Sequence, residues 1–181
     1  VLCNHFHIPL QSGDDDILKK MKRPYSAASF EKTITKVNKQ IPDAGIGVDT
    51  LIGFPSETEQ QFENTYNLIK RLPVSYLHVF PFSKRKGTPA FEYKDQVDPL
   101  VIKERCRRMR LLDREKREAF IKKNLGKTLK AIVQNKPDGR TGMLKAVTSN
   151  YLTVLLDENH RFKGKTLDLI PEQCDSNLTI V

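Results

Sequence analysis

Three apolar runs, each cut short by turn-forming residues and followed by a helical pattern, constrain the fold of this chain more than any other feature. They are His7-Ile8-Pro9-Leu10-Gln11-Ser12-Gly13, Asp49-Thr50-Leu51-Ile52-Gly53-Phe54-Pro55-Ser56-Glu57-Thr58-Glu59 and Val79-Phe80-Pro81-Phe82-Ser83-Lys84. Repeated strand, loop and helix is the pattern of parallel βα units. In such architectures the loops after the strands collect on one face, where small molecules bind. The three loops are therefore expected to share one site.

The segments around them fit this reading. Phe6, Ile8 and Leu10 alternate with His5, His7 and Pro9 as in a half-buried strand. Asp14 to Met21 reads as a short helix with acids first and lysines last, as the helix dipole favours. Ser26 is placed to cap a helix to about Gln40, with Phe30, Ile34, Val37 and Ile41 on one face. Ile46 to Ile52 is the second strand. Ser56 and Glu59 stand in capping-box register ahead of Phe62, Tyr66 and Ile69. Tyr76 to Phe80 is the third strand, followed by the basic loop Lys84-Arg85-Lys86-Gly87-Thr88-Pro89. Asp98-Pro99 opens a helix to about Asn124, with Gly126 past its end. Its apolar face carries Ile102, Cys106, Met109, Leu112 and Phe120.

After Gly126 the period changes. Residues 129–133, 142–147, 151–155, 166–170 and 178–181 are five short β candidates separated by turn residues, which predicts a small barrel or sandwich. The domain boundary is placed near residue 125, giving 1–124 and 125–181. Three βα units cannot close a barrel, so an unpaired strand edge and self-association are expected. The chain begins Val1-Leu2-Cys3-Asn4 as though within a strand and reads as a piece of a longer protein.

The net charge of +9 is concentrated: residues 99–124 hold ten Lys and Arg against four Asp and Glu. Lys103, Arg107, Arg110, Arg114 and Arg117 recur at helical spacing as one stripe with no acid on it, while Glu104 and Arg108 stand as an i,i+4 pair. A concentrated basic face suits a polyanion, and nucleic acid is the commonest. A solvated helix face is the plainer alternative. Three scattered cysteines make no disulfide framework and fit a reducing cytoplasm. No run reaches the ~20 apolar residues of a bilayer span, and no basic leader opens the chain, so no membrane partner is expected.

Four strings carry a resemblance in order: His5-Phe6-His7-Ile8-Pro9-Leu10-Gln11-Ser12-Gly13, Lys20-Met21-Lys22-Arg23, Ile52-Gly53-Phe54-Pro55-Ser56-Glu57-Thr58-Glu59 and Phe80-Pro81-Phe82-Ser83-Lys84-Arg85-Lys86-Gly87-Thr88-Pro89-Ala90. With them the chain resembles the C-terminal part of the radical S-adenosylmethionine methylthiotransferases. The last 57 residues, through Gly142 and Thr148-Ser149-Asn150-Tyr151-Leu152-Thr153-Val154, resemble the RNA-binding TRAM barrel that ends those enzymes. The string from Leu77 to Thr88 is most similar to the branch acting on threonylcarbamoyladenosine at tRNA position 37.

The resemblance implies an α/β fold: the last three βα units of a six-stranded partial barrel, then a small all-β TRAM domain. It implies tRNA as partner, S-adenosylmethionine and [4Fe–4S] clusters as cofactors, and Gln11, Ser12, Thr50, Gly53, Glu57 and Pro81 as cofactor-pocket residues. A glycine at 53 would let backbone approach a ligand closely. Lys84, Arg85, Lys86, Arg107, Arg110, Arg114, Arg117 and Tyr151 would meet RNA, with Phe162 a further stacking candidate. The family's cluster-binding cysteine motifs are absent here, and Cys3, Cys106 and Cys174 match none of the required positions. This chain alone is therefore expected to be inactive, and the missing N-terminal portion of the same protein becomes an expected partner. The alternatives are an RNA-binding module without catalysis, or the branch that acts on a ribosomal-protein aspartate.

Individual residues have plainer readings as well. His5 and His7 sit two apart, as two metal ligands do, or simply fill the interior as hydrogen-bonded imidazoles. Glu57 serves a cofactor or is a first-turn helix acid. Tyr151 is a base platform or part of a β core.

Overall fold

The computed structural model describes residues 3–156, 162–175 and 180; of the fifth predicted strand, 178–181, only Ile180 lies among them. The chain divides into two units, one of residues 7–42 and 46–116, the other of 1–6, 43–45 and 117–181.

A three-stranded sheet of order β1-β2-β3, most of whose residues belong to the larger unit, is formed by β1 (His5–His7), β2 (Gly45–Ile52) and β3 (Tyr76–Pro81). β2 and β3 run parallel, with Asp49 opposite His78 and Ile52 opposite Pro81. Ile8 and Leu10 donate to the carbonyls of Gly47 and Asp49, and Gln11 bridges Thr50 in parallel. Strand alternation sorts β2: Ile46, Val48, Thr50 and Ile52 are wholly buried on one face. Gly47, Asp49 and Leu51 take the other.

Helices α1 (Asp15–Lys20), α2 (Ala27–Gln40) and α3 (Glu59–Arg71) fall where the periodicity placed them. Asp14 caps α1 through its side chain, and Ser26 closes a capping box with Ser29 on α2. Their buried faces, Ile17, Leu18, Phe30, Ile34, Phe62, Leu68 and Ile69, supply the core with the strands. The cap of α3 differs from expectation. It is Thr58, boxed with Gln61, rather than Ser56 with Glu59. Ser56 has φ +67, a turn conformation that cannot begin a helix, whereas Thr58 is extended as an N-cap must be.

Helix α4 (Pro99–Asn124) starts where Asp98 accepts from the Leu100 N–H. Cys106, Met109 and Leu112 are buried, as the apolar face predicted. Residues 117–124 of this helix group with the second unit, because Ile121 and Phe120 pack with Leu129, Leu152, Val154 and Ile180. The division between the two units thus falls inside this helix.

The second unit carries β4 (Leu129–Pro137), β5 (Leu144–Thr148), β6 (Thr153–Leu156) and β7 (Thr166–Leu169), all antiparallel in the order β6-β5-β4-β7. Ile180 bridges Val154 and Cys174. The buried amide of Asn150 ties its corner together. It donates to the Asn124 side-chain oxygen at 2.9 Å and the Asp43 carbonyl at 3.2 Å, and accepts from the Thr148 hydroxyl at 2.6 Å. Among the described residues, no helix is long and apolar enough to cross a membrane.

Candidate cofactor cleft and nucleic-acid face

The carboxyl ends of all three parallel strands open on one edge of the sheet, because Gln11 bridges Thr50 and Phe82 donates to the Ile52 carbonyl at 2.8 Å. A cleft of about 450 Å³ lies there, bordered by Gln11, Leu51, Phe80, Pro81, Phe82 and Arg85, with Ser83, Thr88 and Ala90 beyond. This is within the usual size of small-ligand pockets. Gln11 holds φ +67 while its N–H donates to the Asp49 carbonyl, so the backbone turns sharply at the rim. Gln11 and Pro81, two of the six predicted pocket residues, line this cleft.

The other four hold the scaffold under it. Ser12 is buried, and its hydroxyl meets Thr65 Oγ1 at 3.3 Å and accepts from the Asp14 N–H at 3.2 Å. Thr50 lies on the buried face of β2, its hydroxyl 3.4 Å from the His78 carbonyl. Glu57 accepts from the Gly53 N–H at 2.9 Å and from Arg105 at 3.0 Å, with its side chain only 1% exposed. Burial pushes the Glu57 carboxyl up, and the Gly53 N–H and the Arg105 guanidinium oppose that rise. Glu57 thus ties its own loop to α4 through one carboxylate oxygen.

Gly53 has φ +80, and a Cβ there would lie 2.3 Å from Cγ1 of Ile102, so α4 packing and the turn require the glycine. Arg105, which the sequence reading did not single out, is the hub of this region. It also meets Glu59 at 2.9 Å, and Arg108 beside it reaches Glu59 and Glu63 while stacking 4.8 Å from the Phe62 ring centre.

The basic residues are spread more unevenly than a uniform stripe. Lys84, Arg85 and Lys86 are exposed in the loop after β3, where Thr88 closes the turn on the Arg85 carbonyl at 2.8 Å. Arg110 and Arg114 are exposed and Arg117 is half-buried. Arg107 forks onto Glu104 at 2.7 and 2.8 Å, an i,i+3 pair that supplies the acid the stripe was expected to lack. Glu104 therefore serves Arg107, whereas Arg108, its expected i,i+4 partner, turns to α3. Tyr151 is 59% exposed at φ +74 and stacks on His5 with 4.1 Å between ring centres.

An iron–sulfur cluster needs several convergent thiolates. Cys106 is buried in α4 and burial pushes its thiol up, away from the thiolate; the Cys174 thiol is raised too. Among the described residues no cysteine joins a group of three ligand side chains. The cysteines of this chain do not fit such a cluster. The cleft does fit part of a nucleoside-sized ligand, having apolar walls from Leu51, Phe80 and Phe82 and a carboxamide at Gln11.

Residues 2–69 match the radical SAM superfamily. The chain is 38% identical over 93% of its length to a threonylcarbamoyladenosine tRNA methylthiotransferase of Aquifex aeolicus and 37% identical over 91% to that of Bacillus subtilis. It is also 37% identical over 81% to a tRNA-2-methylthio-N(6)-dimethylallyladenosine synthase of Clostridium tetani. It covers 39%, 37% and 34% of those proteins, respectively. The chain is a relative of the radical SAM tRNA methylthiotransferases and spans less than two fifths of their length.

Proposed function

We propose that this relative of the radical SAM methylthiotransferases is the part of a tRNA-modifying enzyme that forms one wall of the cofactor cleft and a grip on RNA. The reaction is transfer of a methylthio group to N6-threonylcarbamoyladenosine at position 37. The observation that carries the reading is the placement of three post-strand loops at one edge of a parallel sheet, in a chain related to such enzymes along nearly its whole length.

Gln11 and Pro81, with the Leu51, Phe80 and Phe82 walls, are the residues proposed to hold S-adenosylmethionine. When bound, that cofactor supplies the reactive adenosyl group; the protein's contribution is orientation and exclusion of water. Ser12, Thr50, Gly53 and Glu57 support the rim from behind. Cluster ligands come from outside this chain, in the portion of the protein that completes the half-barrel. The chain alone binds RNA without turnover.

The four-stranded antiparallel unit is proposed to be a TRAM domain, with the exposed Tyr151, stacked on His5, as a residue that contacts a base. Lys84, Arg85, Lys86, Arg110, Arg114 and Arg117 provide phosphate contacts, and Arg107 contributes less because Glu104 neutralises it. The working location is the cytoplasm.

Nucleoside digests of tRNA from cells lacking the whole gene test the reading. The 2-methylthio derivative of threonylcarbamoyladenosine should disappear in mass spectrometry and return on complementation. Unchanged levels, or loss instead of the methylthio mark on dimethylallyladenosine or on a ribosomal-protein aspartate, overturns it.

A further inference from the structure

The face of the parallel sheet opposite the helices carries a second constellation, two residues back along the strands from the cleft walls Leu51 and Phe80. Asp49 leaves β2 on the face opposite the helices. His78 stands opposite it in register on β3, and His7 flanks it from β1. The His7 Nε2 atom lies 2.7 Å from Asp49 Oδ1, and His78 Nδ1 lies 3.3 Å from that same oxygen. All three donor atoms fall within 4.8 Å of one another. We propose that His7, Asp49 and His78 bind one divalent transition-metal ion of the zinc class.

Two imidazole nitrogens and one carboxylate oxygen are ligand types that suit a borderline divalent ion, and three protein ligands leave positions for water or a substrate atom. Metal–ligand bonds of about 2.0–2.2 Å put tetrahedral ligand atoms roughly 3.3–3.5 Å apart. The Asp49–His78 spacing already has that value. The Asp49–His7 spacing opens by about 0.6 Å through a small ring rotation.

The surroundings orient the ligands. The other ring nitrogen of His7 meets the Tyr76 hydroxyl at 3.3 Å, the kind of outer contact that fixes which imidazole nitrogen faces a metal. Tyr76 reaches there only because position 47 lacks a side chain: a Cβ on Gly47 would lie 2.1 Å from the tyrosine ring. His7 and His78 stay close, with ring centres 5.0 Å apart. Their side chains are 31% and 48% exposed, so an ion has access from solvent.

The inference is independent of the proposed methylthiotransferase activity, since its readout is metal binding and not turnover. Titrating the 181-residue chain with Co²⁺ should give one equivalent of saturable binding and a visible d–d band, displaced by Zn²⁺. Asp49→Asn and His78→Asn should abolish saturable binding while circular dichroism stays unchanged. Tyr76→Phe should weaken it about tenfold, and Cys3→Ala should leave it intact. The proposal fails if no stoichiometric binding occurs. It fails equally if His78→Asn binds as tightly as the parent, or if a sulfur-to-cobalt band lost in Cys3→Ala marks the site.

Discussion

Arg105 and Glu57 meet at 3.0 Å with side chains 6% and 1% exposed, so the loop after β2 is anchored to α4 by an ion pair almost sealed from water. Removing one partner strands the other charge. Arg105→Met should cost about 3–5 kcal/mol in urea unfolding. Adding Glu57→Gln should recover a large part of that loss, because a neutral buried amide tolerates the missing guanidinium. A double variant destabilised by the sum of the two single variants would show that the pair is not coupled.

Gly53→Ala should destabilise by at least about 1–3 kcal/mol, because the new methyl meets Ile102 and the backbone holds φ +80. Ile102→Ala added to it should relieve the contact but not the backbone strain. Thermal melts of the four proteins separate the two contributions. A Gly53→Ala melt matching the parent would remove the packing account.

Arg110→Ala with Arg114→Ala should reduce the slope of log affinity for tRNA against log salt by about 2. Arg107→Ala alone should change it less, since that guanidinium already lies on Glu104. Filter binding across a potassium chloride series measures both. An unchanged slope in the double variant means that this helix face does not meet phosphate.

Lys127 beside Asp43, at 2.8 Å, holds that carboxyl below its ordinary value of 3.8. A depressed folded value stabilises the protein above the unfolded value and stops doing so as pH falls through the folded one. Asp43→Asn should therefore lower Tm at pH 7, and the gap should close in strongly acidic buffer. The size is modest because the pair is half exposed. A gap that persists at low pH assigns the effect to something other than charge.

The elements were legible where a period repeated. Ile46, Val48, Thr50 and Ile52 alternate cleanly, and Cys106, Met109 and Leu112 follow a helical face, so local pattern sufficed. The cap of α3 was not, because Ser56–Glu59 and Thr58–Gln61 satisfy the same spacing and only backbone dihedrals decide between them. The strand-end loops were readable as one rim, but the direction of Glu57 was not. An acid after a strand has the same signature whether it faces a ligand or an arginine 48 residues later. His7, Asp49 and His78 are 42 and 29 residues apart, and only the lateral register of parallel strands brings them together.

Ile121 and Phe120 lie in the last two turns of α4 yet pack into the β core of the second unit. Recombinant excision at residue 125 would consequently leave a gap in that core. A shuttle piece meant to carry the antiparallel sheet into another protein should begin near 117, partway along a helix, where no glycine or proline advertises a cutting point.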